Sequence, residues 1–183
     1  MKYLIASDIH GSATYCRRLL ELAAAEDAES FILLGDILYH GPRNDLPEGY
    51  APKEVIAMLN PLADRITCVR GNCDAEVDQM VLSFDVSTAR RVIEPLGRRI
   101  FITHGHHASI SAPPKTSELE GAQIVLYGHT HIPLNAEEDG VRYLNPGSVS
   151  IPKGGSERSC MVLDESGFRW LSLEGRCFDR LSF

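Results

Sequence analysis

Short apolar runs alternate with longer amphipathic stretches through the first part of the chain. Lys2 to Ala6 reads as a strand that stops at Ser7-Asp8-Ile9-His10-Gly11. Leu19, Leu20, Leu22 and Ala23 then recur at helical spacing to about Ala28, with Ser12 or Thr14 available as the capping residue. Phe31 to Leu34 is too short for a helix, and Gly35-Asp36 ends it. Residues 39–52 hold enough glycine and proline to form a long loop. Lys53 to Leu59 restarts a helix that Pro61 should disturb or end. Ile66 to Val69 gives a third strand, with Arg70-Gly71-Asn72-Cys73-Asp74 at its tip. Alternation of short apolar strands with helices predicts an α/β domain with a parallel central portion.

The pattern changes in the second half. Arg91-Val92-Ile93, Arg98 to Thr103, Ile124 to Tyr127, Val141 to Leu144, Ser159 to Leu163 and Phe168 to Leu173 read as strands. Glu138-Asp139-Gly140 and Asp164-Glu165-Ser166-Gly167 are turn-like joints of the kind that connect hairpins. Thr116 to Glu120 is the main helical candidate there. A mixed, two-sheet α/β sandwich accounts for this better than one extended parallel sheet, and the 183 residues are expected to form a single domain.

Composition narrows the classes. The apolar share of 44% and charged share of 23% are those of an ordinary globular protein. A formal net charge of −7, with no block of lysine or arginine, argues against an extended nucleic-acid surface or attraction to an anionic membrane. A small phosphorylated substrate stays compatible, because bound cations would invert the field around clustered carboxylates. The N-terminal residues show no charged leader before a long apolar region, so a cytoplasmic protein with no membrane partner is expected. The five cysteines are irregularly spaced, which argues against a disulfide framework. Cys16 and Cys68 fit as small buried hydrophobes, whereas Cys73 sits among polar residues at a strand tip.

The candidate chemistry lies where the apolar runs end. Asp8-x-His10, Gly35-Asp36, Gly71-Asn72-Cys73-Asp74, His104-Gly105-His106 and Gly128-His129-Thr130-His131 each follow a predicted strand. Open α/β sheets place ligands beyond the carboxyl ends of their strands, so these clusters could meet at one end of a sheet. Asp8, His10, Asp36, Asn72, His104, His129 and His131 together offer side chains suited to two divalent metals.

This ordered set resembles the calcineurin-like metallophosphoesterase family, and within it the small bacterial and archaeal phosphodiesterases of the YfcE type. His40-Gly41-Pro42-Arg43-Asn44 and Asn145-Pro146-Gly147-Ser148 are similar to that type as well. The resemblance spans residues 8–148 and implies a four-layer α-β-β-α sandwich with two mixed sheets. It implies that Asp8, His10, Asp36 and His131 hold one metal, and Asp36, Asn72, His104 and His129 a second, with Asp36 bridging. Manganese is the expected cation, with zinc or iron compatible with the same donors. The implied reaction is hydrolysis of a small phosphodiester by a hydroxide shared between the metals. A phosphomonoesterase uses the same metal pair, and a protein-binding scaffold on the same fold is the alternative from another class.

Cys73 departs from the wider family, where a histidine assigned to leaving-group protonation or phosphate contact often stands. An uncharged thiol gives poorer support than imidazolium, so esters with basic leaving alkoxides should react slowly. With Cys73, Asp36, Asn72 and Asp74 are the expected catalytic group, although Asp74 could equally orient a ligand or cap the next segment. Arg43, His40 and His106 are candidates for substrate contact, and Asn145 for ordering the active-site loop or a ligand histidine. His107 reads as an ordinary loop residue, Lys153 as surface or rim, and Trp170 as packing. Tyr50 reads as packing or as a substrate-lining ring. The apolar residues after Tyr50 could close the core or serve a homo-oligomer interface.

Overall fold

A computed structural model describes residues 1–183 and resolves two mixed sheets packed face to face. In the first sheet, β1 (Tyr3–Ala6), β2 (Ser30–Leu33) and β3 (Ile66–Cys68) run parallel. Three antiparallel strands extend it beyond β1: β9 (Ser159–Asp164), β10 (Gly167–Ser172) and the edge strand β11 (Cys177–Ser182). In the second sheet β5 (Ile100–Thr103), β6 (Ile124–Leu126) and β8 (Val141–Asn145) are parallel. The antiparallel strands β4 (Arg90–Ile93) and β7 (Leu134–Glu138) close its two edges.

Strand alternation divides the core. Leu4, Leu33, Cys160 and Val162 point to the outer face of the first sheet, where α1 (Ala13–Ala25) and α2 (Pro52–Leu59) cover them. Ile5, Ile32, Met161, Ile102, Leu126, Leu144 and Trp170 fill the space between the sheets. Phe101, Val125, Tyr127 and Tyr143 form a third cluster on the far face, under residues that include Ala108, Leu119 and Ala122. Each fully buried aliphatic side chain contributes roughly 1.5–3 kcal/mol relative to exposure, so the inter-sheet layer binds the two sheets to each other and the larger cluster under α1 and α2 adds more still. The outer layer on the second sheet is thin, since α3 (Thr116–Leu119) is a single turn.

Several boundaries differ from expectation for local reasons. Ser12 caps α1 by accepting from the Tyr15 amide, as anticipated, but the helix stops at Ala25 rather than near Ala28. Asp27 turns left-handed (φ 55°), and the Ala28 amide reaches back to the Ala23 carbonyl in a Schellman closure. Helix α2 gives way at Pro61 to a 3-10 segment, Asn60–Arg65. Strand β5 begins at Ile100 instead of Arg98 because Leu96 (φ 55°) and Gly97 (φ 71°) form a tight turn before it. Neither β7 nor β11 carries a strong apolar pattern, and both are edge strands paired on one side only. Asp139-Gly140 and Glu165-Ser166 are the two-residue hairpin loops expected from the turn signals. Val55 and Leu59 are buried, and Ala51, Ile56 and Met58 pack against the same cluster, so the apolar residues after Tyr50 close the core. All five cysteines are free, with Cys16 and Cys68 buried in α1 and β3. No helix is long and apolar enough to cross a membrane.

Candidate metal centre

The carboxyl ends of β1, β2 and β3 meet those of β5 and β6 at one rim of the sandwich. Asp8 and His10 follow β1, Asp36 follows β2, Asn72 follows β3, His104 follows β5, and His129 and His131 follow β6. Turning so many side chains inward requires unusual backbone. Asp8 (φ 59°), His10 (48°), Asp36 (56°), His129 (64°) and His131 (60°) are all left-handed, at a cost of order 1–3 kcal/mol each. Hydrogen bonds between the loops hold these conformations: Asp8 amide to Gly35 carbonyl at 3.1 Å, and His10 amide to Asp36 carbonyl at 2.9 Å. The hydroxyls of Ser148 and Ser150 both donate to the Asp8 carbonyl, at 3.0 and 3.1 Å.

One group of donors is fully enclosed. His131 Nε2 lies 3.2 Å and His10 Nε2 3.5 Å from Asp8 Oδ1, and the two Nε2 atoms are 3.4 Å apart. His10 Nδ1 donates to the Tyr39 carbonyl at 2.7 Å, and His131 Nδ1 to the Ile151 carbonyl at 2.5 Å. With the proton on Nδ1, both Nε2 lone pairs aim into the same small space. Asp8 Oδ1 is buried there with no hydrogen-bond partner. Two converging lone pairs and an orphaned carboxylate oxygen repel one another unless a cation joins them, so these residues fit a divalent metal.

A second group adjoins it through Asp36. His104 Nε2 lies 3.3 Å from Asp36 Oδ2 and 3.1 Å from Asn72 Oδ1, while His104 Nδ1 donates to the Leu34 carbonyl at 2.6 Å. Asp36 Oδ2 is also 3.7 Å from His10 Nε2, so one carboxylate touches both groups, as a bridging ligand must. The His129 ring lies beside His104, with centroids 5.1 Å apart. Single donor atoms of Asp8, His10 and His131 lie mutually within 4.8 Å, as do those of Asp8, Asp36 and His104 and those of His10, Asp36 and Cys73.

Charge follows this geometry. Burial pushes the carboxyls of Asp8 and Asp36 up, but the imidazoles of His10 and His131 around Asp8, and of His104 beside Asp36, outweigh it and hold both acids below the usual range. Burial works to lower His104, yet Asp36 and Asp8 raise it to about 9. Asp8 likewise raises His10 against the effect of burial, so the two carboxylates favour the charged form of His10 and His104, a role that a cation would take over.

Of the places expected for Asp74, the structure favours the one that orients a ligand loop. Its carboxylate accepts from the amides of Asp36 (2.8 Å), Ile37 (2.8 Å) and Gly71 (2.7 Å), and the residue is buried away from the open cavity. With its oxygens occupied by main-chain donors, Asp74 does not act directly in catalysis, as its place in the expected catalytic group had it, but positions the Asp36 and Asn72 loops, the ligand-orienting role also expected of it. It does not cap the following 3-10 segment either, where Asp78 accepts from the Ala75 amide. Gly71 completes this fit, because a Cβ there would stand 2.1 Å from Asp36 Oδ1. Asn145 fills the corresponding role on the other sheet. Its side chain donates to the Gly128 carbonyl (2.8 Å) and Thr130 Oγ1 (3.1 Å) and accepts from the Gly147 amide, which orders the loop carrying both late histidines.

A cavity of about 480 Å³ opens over Asp36, Asn72 and His129, and Cys73, Arg43 and Lys153 also line it. Burial first, and then the negative charge of Asp36, push the Cys73 thiol up to about 12, so it stays protonated in the metal-free chain. Arg43 therefore reaches the predicted place, and Lys153, read as rim, lines the same space. His40 and His106 are not among the lining residues, although the His106 ring lies 5.4 Å from that of His104 and 6.0 Å from that of His129. The His40 ring packs edge-on against Tyr39 and Tyr50, and His106 faces a separate hollow with His107, Arg90 and Lys115. Tyr50 is absent from the cavity lining, and Trp170 belongs to the inter-sheet core. The carbonyls of Tyr39, Leu34 and Ile151, which fix three histidine tautomers, are main-chain groups with no sequence signature.

Known proteins resemble this chain in sequence and fold to differing degrees. The phosphodiesterase YfcE of Escherichia coli K12 is 46% identical over 164 residues, covering 90% of this chain and 88% of that protein. A solved structure of E. coli YfcE, described as a phosphoesterase, superposes with a TM-score of 0.92 at 42% identity, over 100% of this chain and 99% of that one. Vps29 of Entamoeba histolytica, solved in complex with zinc, has a TM-score of 0.66 at 21% identity over 100% and 99% of the two chains, a likeness of fold alone. The profile of the calcineurin-like phosphoesterase superfamily domain matches residues 1–167. Two adjoining donor clusters on a two-sheet sandwich and close relatives of this kind support a metal-dependent phosphoester hydrolysis, and the chain belongs to the calcineurin-like phosphoesterase superfamily.

Proposed function

We propose that this chain is a phosphodiesterase using two divalent cations, with manganese the first to test. Asp8, His10, Asp36 and His131 hold one cation in this reading, and Asp36, Asn72, His104 and His129 the other. The observation that carries it is Asp36 Oδ2, 3.7 Å from His10 Nε2 on one side and 3.3 Å from His104 Nε2 on the other. When bound, such a pair supplies an acidified water as nucleophile and positive charge against the phosphoryl oxygens.

The chain's own residues do the remaining work. Asn72 offers a neutral oxygen, which limits negative charge in a cluster that already holds Asp8 and Asp36. Main-chain carbonyls keep the Nδ1 protons of His10, His104 and His131, so Nε2 is the nitrogen each ring turns toward a cation. Asp74 fixes the amides of Asp36 and Gly71, and thereby the spacing of the two donor groups. The Cys73 Sγ–H stands at the cavity wall, where it can pass a proton to a departing alkoxide only weakly. Such a site suits a diester with a good leaving group, and the 46% identity to a phosphodiesterase supports that choice over a monoester.

The test uses metal-stripped protein reconstituted with manganese and matched nitrophenyl phosphate diester and monoester substrates. The diester is expected to turn over faster, and Asp36→Asn to reduce its kcat/KM by about 10³-fold, the effect of losing several kcal/mol of charge stabilisation. Faster monoester hydrolysis would reassign the protein as a phosphatase. Two bound cations with no turnover dependent on Asp36 would favour the scaffold reading.

A further inference from the structure

Cations on this chain are mostly partnered. Of its 18 lysine and arginine side chains, Arg43, Lys53, Lys115, Lys153 and Arg180 alone make no ion pair, hydrogen bond or contact over an aromatic ring. Arg43 and Lys153 both line the cavity over the candidate metal centre, where Asp36 is the acid among the lining residues. Two free positive charges therefore share one cavity on a chain whose net charge is −7.

Both side chains spring from anchored backbone. The Lys153 amide donates to the His131 carbonyl at 3.1 Å, and the Lys153 carbonyl accepts from Ser156 Oγ at 2.7 Å. Arg43 belongs to a loop in which Asn44 Nδ2 donates to the His40 carbonyl at 2.7 Å. Arg43 and Asn44 also line an adjoining cavity of about 490 Å³, so Arg43 stands where the two spaces meet. The lining of the metal cavity includes no phenylalanine, tyrosine or tryptophan, which removes the stacking platform that a nucleobase would use.

We propose that Arg43 and Lys153 determine specificity by binding a second anionic group, so that the preferred substrates are small polar phosphodiesters carrying a carboxylate or phosphate on one ester arm. This rests on the phosphodiesterase reading. The metal centre would hold the reacting phosphoryl group, and the second anion, lying beyond it, needs countercharge of its own. Guanidinium and ammonium supply that charge through charge-assisted hydrogen bonds.

Binding tests this apart from turnover. Three methylphosphinates of equal arm length, each arm joined to phosphorus through carbon so that no ester bond is present to cut, and ending in hydroxyl, carboxylate or phosphonate (the inert stand-in for phosphate), are titrated by calorimetry into manganese-loaded protein. The anionic ligands are expected to bind about tenfold more tightly than the hydroxyl one, with the preference shrinking as salt rises. The Arg43→Gln/Lys153→Gln double variant should bring the ratio of affinities close to one; both side chains are exposed, so the core is untouched. A carboxylate or a phosphate preference alone would identify which anion is read. Equal affinities in the wild type, or a preference that survives in the double variant, would overturn the proposal. Failure of all three ligands to bind would overturn the phosphodiester reading of the cavity and this inference with it.

Discussion

Asp8, His10 and His131 form a closed half of the centre, 0%, 1% and 3% exposed, whereas Asn72 is exposed and His129 half-buried in the other half. The closed half has two imidazoles tied to main-chain carbonyls; the open half has one, His104, while the His129 ring has no such tie. Burial and anchoring thus separate two donor sets of similar chemistry. On the two-cation reading, the first would retain its cation and the second would present one to whatever enters the cavity.

The sharpest way to break this contrast is at the join between the halves. A methyl group at Gly71 would collide with Asp36 Oδ1 and stand 2.4 Å from the Asp36 amide, so Gly71→Ala should displace the shared carboxylate. Diester kcat/KM is expected to fall by about 10²-fold, as for a misplacement of roughly 1 Å, with both cations bound more weakly. Unchanged kinetics in that variant would mean that Asp36 does not need its observed position.

Metal removal measures the contrast itself. Chelator titration should proceed in two steps, with the open half emptying first and the affinities differing by about tenfold, the lower end of what outer-shell anchors contribute. His129→Ala should abolish the weaker step and His131→Ala the tighter one. The pH dependence has a definite sign. His104, raised to about 9 without metal, must lose a proton before its Nε2 can bind, so affinity at the open half should fall as pH drops from 9 toward 6, with protons released on loading. Affinity independent of pH, or release in a single step, would dissolve the distinction.

A smaller effect is expected at Cys73. Cys73→His should raise turnover of esters with poor leaving groups by about tenfold and leave good leaving groups nearly unchanged. Gly41 bears on the outcome, since a Cβ there would lie only 2.9 Å from the Cys73 sulfur, so a larger ring has to turn toward the cavity. Equal rates across a leaving-group series would show that residue 73 takes no part in the departure step.

The strand tips made the donor clusters legible. Polar clusters directly after apolar runs leave few places for Asp8, Asp36, Asn72, His104 and His129 other than one rim, and the fold brings them there. The strand over Lys2 to Ala6 was legible as an apolar run, but a run apolar on both faces does not say which side Leu4 and Ile5 each take. Left-handed turns at Asp8, His10, Asp36, His129 and His131 were not legible, because none of these residue types demands that conformation and the loops impose it together. The sequence left Asp74 between orienting a ligand and capping the next segment, since its neighbours gave no hint of the amides of Asp36 and Ile37, which arrive from another strand and favour the first. Edge strands such as β11 escape periodicity because half their surface meets solvent on both faces. Lys153, read as surface or rim, is an exposed residue lining the cavity, but nothing in the sequence marked that it would share that space with Arg43.

Trp170 links the core to the centre in a way that gives the protein an optical reporter. It is the chain's sole tryptophan, 1% exposed, and its indole Nε1–H donates to the Asn145 carbonyl at 2.7 Å. The Asn145 side chain in turn grips Gly128 and Thr130, on either side of His129. Any movement of that loop is one hydrogen-bonded residue away from the indole, so its emission is a natural, label-free signal of whether the histidine loop is in place.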